Sequence, residues 1–193
     1  MKELINKIKS VIPLSSGGEE HVYKISKERS FNKGDVLIRE GHPVSKTYFV
    51  LKGCLRSYCI DKDGKEHTLQ FAIKDWWISD FMAVYSGENS LLNVECISDS
   101  KVVEFKSKEL DSILTLFPEF EVFQRRNLER HVVSLHRRIL NQLQLSATER
   151  YELFMKEYPD IEQYAPNYHI ASFLGITQQS LSRIRRDRSK KLS

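Results

Sequence analysis

The sequence predicts an α+β chain: an N-terminal helix, an antiparallel β-roll, a long helix, and a helical C-terminal domain built on a helix-turn-helix. Three observations predict it. The hydrophobic period is helical up to about residue 27, strand-like over about residues 30–106, and helical again from about residue 107. Turn signals centred on glycine recur at short intervals through the middle stretch. Residues 167–186 put a small residue, a glycine and inward-facing apolar residues where two helices crossing at a tight turn need them.

Size and charge set the outer limits. With 193 residues, 40% hydrophobic and 29% charged, the chain can build one or two compact domains. Its apolar stretches, such as residues 48–51, are far too short to cross a bilayer, so no membrane partner is expected. Residues 1–9 carry apolar side chains at helical spacing, with no continuous apolar core or small-residue cleavage site. That predicts a cytoplasmic protein. Cys54, Cys59 and Cys96 form no close pair and read as buried apolar residues, a redox thiol being the alternative. The histidines show no ligand spacing, and His131 and His136 read as surface residues, so no metal and no cofactor are expected. Neither a glycine-rich phosphate loop nor a nucleophile beside a recognisable base is present, and an enzyme is not expected. Net charge is only +4, but it is unevenly spread. Residues 75–100 contain no Lys or Arg, while Asp75, Asp80, Glu88, Glu95 and Asp99 are acidic. Arg183, Arg185, Arg186, Arg188, Lys190 and Lys191 crowd the C-terminus against Asp187 alone, so that end suits an anion.

Taken in order, the roll is punctuated at Lys33-Gly34-Asp35, Glu40-Gly41, Lys52-Gly53 and Asp63-Gly64, with strands expected over residues 36–38, 48–51, 55–60, 66–73 and 101–105. Asp63-Gly64 predicts a tight hairpin. After Pro118 a long helix begins. Its Leu128, Val132, Leu135 and Ile139 fall at steps of four, three and four, an a/d seam. A helix packed on its own domain and a helix paired with a second copy both fit so short a seam. Ser146 and Glu149 form a capping box that restarts a helix ending near Tyr158-Pro159, which makes residues 142–145 a hinge. The expected divisions are therefore residues 1–117, 118–145 and 146–193.

In the last division Ala171 supplies the small crossing residue, Gly175 the turn, and Ile170, Leu174, Ile176, Leu181 and Ile184 the inward face. Thr177 reads as the N-cap of the second helix. Gln178, Gln179, Ser180, Ser182, Arg183 and Arg186 are left outward. Glutamine and arginine pair bidentately with adenine and guanine in the major groove. The hydroxyls of Thr177, Ser180 and Ser182 suit phosphates at its edge. An αα-hairpin that merely packs on a core would leave that face unexplained.

With Lys33-Gly34-Asp35, Glu40-Gly41, residues 49–56, Asp63-Gly64, the long helix and residues 170–186 in this order, the chain resembles the Crp/Fnr transcriptional regulators over nearly its whole length. The resemblance implies a cyclic-nucleotide-binding-like roll (a double-stranded β-helix), a dimerisation helix and a C-terminal DNA-binding domain. It favours pairing through Leu128, Val132, Leu135 and Ile139. It implies base contacts from Gln178, Gln179 and Arg183 and phosphate contacts from Thr177 and Ser180. Ser182, Arg186, Lys190 and Lys191 are further expected phosphate contacts.

Two departures from the family pattern bear on function. Where cyclic-AMP-binding members carry a Gly-Glu and an Arg-Ser around the phosphate, this chain has Ser79-Asp80 and Ser90-Leu91, with no cation in the stretch. Cyclic AMP is therefore not the expected effector. Phe71, Trp76, Trp77, Asp80 and Phe81 are candidates for another effector pocket, or for an aromatic core between roll and helix. Related regulators follow the second helix with a β-hairpin wing; here, over residues 187–193, the wing is expected to be absent or replaced by a basic tail. The expected function is homodimeric, sequence-specific binding of a palindromic operator in double-stranded DNA, with RNA polymerase and a small-molecule effector as candidate partners. The alternative is a cyclic-nucleotide sensor module acting on a partner protein.

Overall fold

The computed structural model describes residues 1–192, with side chains as far as Lys190. Helices α1 (Lys2–Lys9) and α2 (Ser16–Ile25) precede the roll. Leu4, Ile5 and Ile8 of α1 are buried in one core with Phe49, Val103 and Phe105. The roll consists of β1 (Ser26–Phe31), β2 (Val36–Ile38), β3 (Lys46–Lys52), β4 (Leu55–Ile60), β5 (Glu66–Ala72), β6 (Trp77–Ile78), helix α3 (Phe81–Ser86), β7 (Asn93–Cys96) and β8 (Ser100–Lys106). They form two antiparallel four-stranded sheets, in the orders β1-β8-β3-β6 and β2-β7-β4-β5. Val50, Leu55, Ala72, Ile78, Val94 and Val102 form the core of the roll.

The predicted fold class is present. The first strand begins at Ser26, earlier than the hydrophobic period suggested, because Ser-Lys-Glu-Arg-Ser-Phe is an edge strand paired only with β8 and largely exposed. The Asp63-Gly64 turn is a wider loop than expected. Asp61 closes it, its carboxylate accepting from the amides of Asp63 (3.0 Å) and Lys65 (2.9 Å). Gly53 joins the sheets at φ +90°, where an added Cβ would lie 2.4 Å from Ser100 Oγ and 2.5 Å from the Asp99 carbonyl, so no other residue fits. Of the cysteines, Cys54 and Cys96 are buried and Cys59 is half-buried. Burial pushes the Cys54 thiol up and the Cys96 thiol to about 11, leaving neither ionised at neutral pH.

Helix α4 (Ser107–Leu116) is followed across Phe117-Pro118 by α5 (Glu119–Gln144). Leu145 is extended, and the Ser146–Glu149 capping box starts α6 (Ala147–Glu157). Then come α7 (Ile161–Tyr164), α8 (Asn167–Leu174) and α9 (Gln178–Leu192). Tyr151, Phe154, Tyr158, Ile170, Leu181 and Ile184 share one core with Cys54, Phe71 and Ile97 of the roll. The rings of Phe71 and Phe173 are 5.3 Å apart, and Phe71 lies 6.0 Å from Phe154. Such aromatic packing adds about 0.5–1.5 kcal/mol per pair beyond area burial.

A buried polar layer lies beneath α8. Arg56, 1% exposed, donates to Glu95 (2.5 and 2.9 Å), Glu66 (2.7 Å) and Thr68 Oγ1 (3.3 Å), and its guanidinium stacks 3.9 Å above Tyr58. His169 of α8 is buried with Nε2 3.8 Å from Glu66 and 3.9 Å from Glu95. Both carboxylates are committed to Arg56, so burial and the positive charge of Arg56 prevail and the imidazole pKa falls to about 3.

Candidate nucleic-acid interface

Helix α8 ends at Gly175, which adopts φ +66°, ψ +37°, the left-handed conformation that only glycine takes without cost. Ala171 is buried at the crossing. Thr177 caps α9: its Oγ1 accepts from the Ser180 amide at 3.1 Å and donates to Ser180 Oγ at 3.0 Å. Leu181 and Ile184 bury the inner face of α9. On the outer face Gln178, Gln179, Ser182, Arg183 and Arg186 line one surface depression. Among the described residues, the side chains of Gln178, Gln179, Ser182 and Arg183 make no hydrogen bond or ion pair with the rest of the chain. The sequence-predicted base contacts and two of the predicted phosphate contacts are thus brought together. Ser180 lies at the capped start of the helix, half-buried.

Arg185 differs from its basic neighbours. It donates to Asn167 Oδ1 (2.5 Å) and pairs with Glu162 (2.7 Å), which accepts the Tyr151 hydroxyl at 2.8 Å. It anchors α9 to α7 and α8 instead of facing outward. The expected basic tail is the continuation of α9 to Leu192, since its Arg, Lys and Ser residues carry the helix onward, with Ser189 Oγ donating to the Arg185 carbonyl at 3.0 Å. Lys190 is exposed on this extension, whereas the side chain of Lys191 lies outside the described residues.

On α5, Leu128, Val132, Leu135 and Ile139 are 39%, 47%, 44% and 54% exposed, a stripe with no cover in one copy of the chain. Leu128, Val132 and Val133 line an apolar groove with Leu114. Arg138, on the flank of that stripe, is half-buried against the roll and α8.

The five candidate effector residues lie in different surroundings. Phe71 is fully buried among Phe154, Tyr158 and Phe173, and Trp76 packs on Tyr158 at 5.5 Å. Trp77 packs between Phe49 (edge-on, 5.2 Å) and Phe105 (tilted, 5.5 Å) in the separate core beneath α1. Phe81 packs on His131 of α5 at 5.5 Å, so His131 is not the surface residue its spacing suggested, and burial lowers its pKa. Trp76 and Trp77 diverge where the chain leaves the turn at Asp75 (φ +70°) and enters β6, Trp76 packing with Tyr158 and Trp77 with Phe49 and Phe105. Phe71, Trp76 and Trp77 pack in hydrophobic cores, and Phe81 packs against α5.

Asp80 is fully buried. One carboxylate oxygen caps α3, accepting from the amides of Met82 (3.0 Å) and Ala83 (3.2 Å). The other accepts from Ser90 Oγ (2.8 Å) and the Leu91 amide (2.9 Å). The two ends of this loop are tied together by the chain's own anion.

Residues 28–116 match the family model of the cyclic nucleotide-binding domain. No curated protein matches the sequence. Among solved structures, FixK2 of Bradyrhizobium japonicum shares 21% identity at a TM-score of 0.74, with 86% of each chain covered. A Eubacterium rectale protein described as a Crp/Fnr-family transcriptional regulator is 15% identical at 0.71, with 92% of this chain and 85% of that one covered. The c-di-GMP-responsive global regulator CLP of Xanthomonas campestris is 14% identical at 0.68, with 92% and 93% covered. Residues 28–116 are thus similar to the cyclic nucleotide-binding domain family. The chain as a whole has the Crp/Fnr regulator fold, as its motifs implied.

A cyclic nucleotide would place two demands on this roll. Its phosphate needs free amides and a cation. Here the amides at the start of α3 and at Leu91 are already bonded to Asp80, and residues 75–100 offer no Lys or Arg. An entering phosphate would meet a buried carboxylate.

Proposed function

We propose that this chain is a homodimeric transcriptional regulator that binds a palindromic operator through α9 and that does not take cyclic AMP as its effector. The observation that carries the reading is the outer face of α9. Gln178, Gln179, Ser182, Arg183 and Arg186 are exposed and gathered in one depression, beside a helix N-terminus capped by Thr177. A core-packing hairpin has no use for that set. Gln178, Gln179 and Arg183 are the base readers, and Thr177, Ser180, Ser182, Arg186, Lys190 and Lys191 the phosphate contacts.

The uncovered stripe of α5 supports a two-fold pair. Two recognition helices would enter successive major grooves about 34 Å apart. The likeness in fold to regulators supports a regulatory role over catalysis. No helix among the described residues is long and apolar enough to cross a membrane, in keeping with a cytoplasmic site of action. A small-molecule effector and RNA polymerase remain partners to be sought.

Selection of bound sequences from random double-stranded DNA tests the reading. Recovery of a two-fold symmetric site with half-sites one helical turn apart is the expected result. Failure of the purified protein to retard any duplex at low ionic strength would remove it.

A further inference from the structure

The sheet β2-β7-β4-β5 ends at β5, whose outer backbone groups have no strand beside them. Exposed sheet edges invite foreign strands and are usually covered. Here α8 and α5 cover it. Ser172 Oγ accepts from the Thr68 amide at 2.9 Å and donates to the Glu66 carbonyl at 2.9 Å, taking the place of a neighbouring strand. Opposite β4, Ser57 pairs with Gln70 and Tyr58 with Thr68, so Leu69 is the extra residue of a bulge. The carbonyl this bulge turns outward accepts from Arg138 of α5. The same guanidinium donates to the Thr68 carbonyl (3.0 Å) and to the Phe173 carbonyl of α8 (3.3 Å), and it lies 4.2 Å over the Phe173 ring. One side chain therefore joins the long helix, the roll and the first helix of the helix-turn-helix.

We infer that Ser172 and Arg138 are positioning residues for DNA reading: they clamp α8 to the β5 edge and so hold α9 at one angle to α5. The inference rests on the proposed dimeric DNA-binding function. In a two-fold pair the angle of α9 to α5 sets the separation of the two recognition helices. The clamp thereby determines which half-site spacing is accepted, without touching a base. It is also a route by which any change in β5 reaches α9, since a two-state element must lie between sensor and reader for one to bias the other.

The experiment uses full-length protein, Ser172→Ala, Arg138→Met and the double variant. Hydrogen exchange is followed at the Thr68 amide, and operator affinity is measured with the selected spacer and with one base pair inserted. The wild type should protect the Thr68 amide and lose about tenfold affinity on insertion. The double variant should exchange that amide faster than the amides of β4 and should lose less than about threefold on insertion. Denaturant unfolding verifies that the roll is intact, and if the double variant does not fold, Ser172→Ala alone carries the test with the same signs. Rapid exchange at Thr68 with spacer dependence unchanged overturns the inference. A wild type that protects Thr68 but binds no duplex overturns the underlying function instead, so the two failures are distinct.

Discussion

The loop around Asp80 and the outer face of α9 are both rich in polar groups, and they are opposites. At Asp80 four donors meet one carboxylate, every partner comes from the chain itself, and water is excluded. On α9 the glutamines, Ser182 and Arg183 make no such bonds among the described residues and stand in solvent. Buried polar groups must be satisfied internally because an unmet one costs about 1–3 kcal/mol. Exposed ones are under no such demand and are free for a partner. The comparison separates architecture from recognition without reference to any relative.

The largest way to break it is at the loop. Asp80→Ala should remove a helix cap and leave the Met82, Ala83 and Leu91 amides without their acceptor, costing about 2–4 kcal/mol in urea unfolding. A loss within experimental error would mean the loop is not held by its own anion. Next, Arg183→Ala should weaken operator binding by about 1–3 kcal/mol and leave random-sequence binding nearly unchanged. Equal losses on both DNAs would make Arg183 a phosphate anchor, and a stability change beyond about 0.5 kcal/mol would mean it is not a free surface residue.

The third test is pH. Unfolded His169 should titrate near the ordinary value of about 6.5; in the fold its pKa is about 3. Between those values the unfolded chain holds the extra proton, so this contribution is present above pH ~6.5 and is lost as pH falls toward 3. The slope is at most about 1.4 kcal/mol per pH unit. Unfolding at pH 7 and pH 5 should show the loss in the wild type and a flatter response in His169→Asn. The smallest effect is expected at Ser146→Ala, about 1 kcal/mol from the capping box, read as a shift in denaturant midpoint without change of slope.

Much of the fold is legible in the sequence. Glycine turns bound the strands, the Ser146–Glu149 pair starts α6, and Ala171, Gly175 and Thr177 define the helix-turn-helix, because each is a local requirement met by residues close in sequence. Residues 75–100 were not legible: β6 has two residues and α3 six, too short to display a period. The roles of Arg138 and Ser172 were hidden for another reason. Their partners are backbone atoms 70 and 104 positions away, and a carbonyl carries no side-chain signature. The aromatic residues left pocket and core both open, because composition does not reveal which face each one occupies. What sequence could supply for Asp80 was the absence of cations around it; that the chain fills the place with its own carboxylate needed the fold.

Ser172 lies 104 residues beyond Thr68, in the strand it covers. At about 5–20 residues per second of translation, the ribosome takes roughly 5–20 s to deliver it after Thr68 has emerged. For that interval the nascent chain has β5 open along one side and Phe71 without the rings it will pack against. The burden of avoiding unwanted association during synthesis therefore falls on a surface that is invisible in the finished molecule.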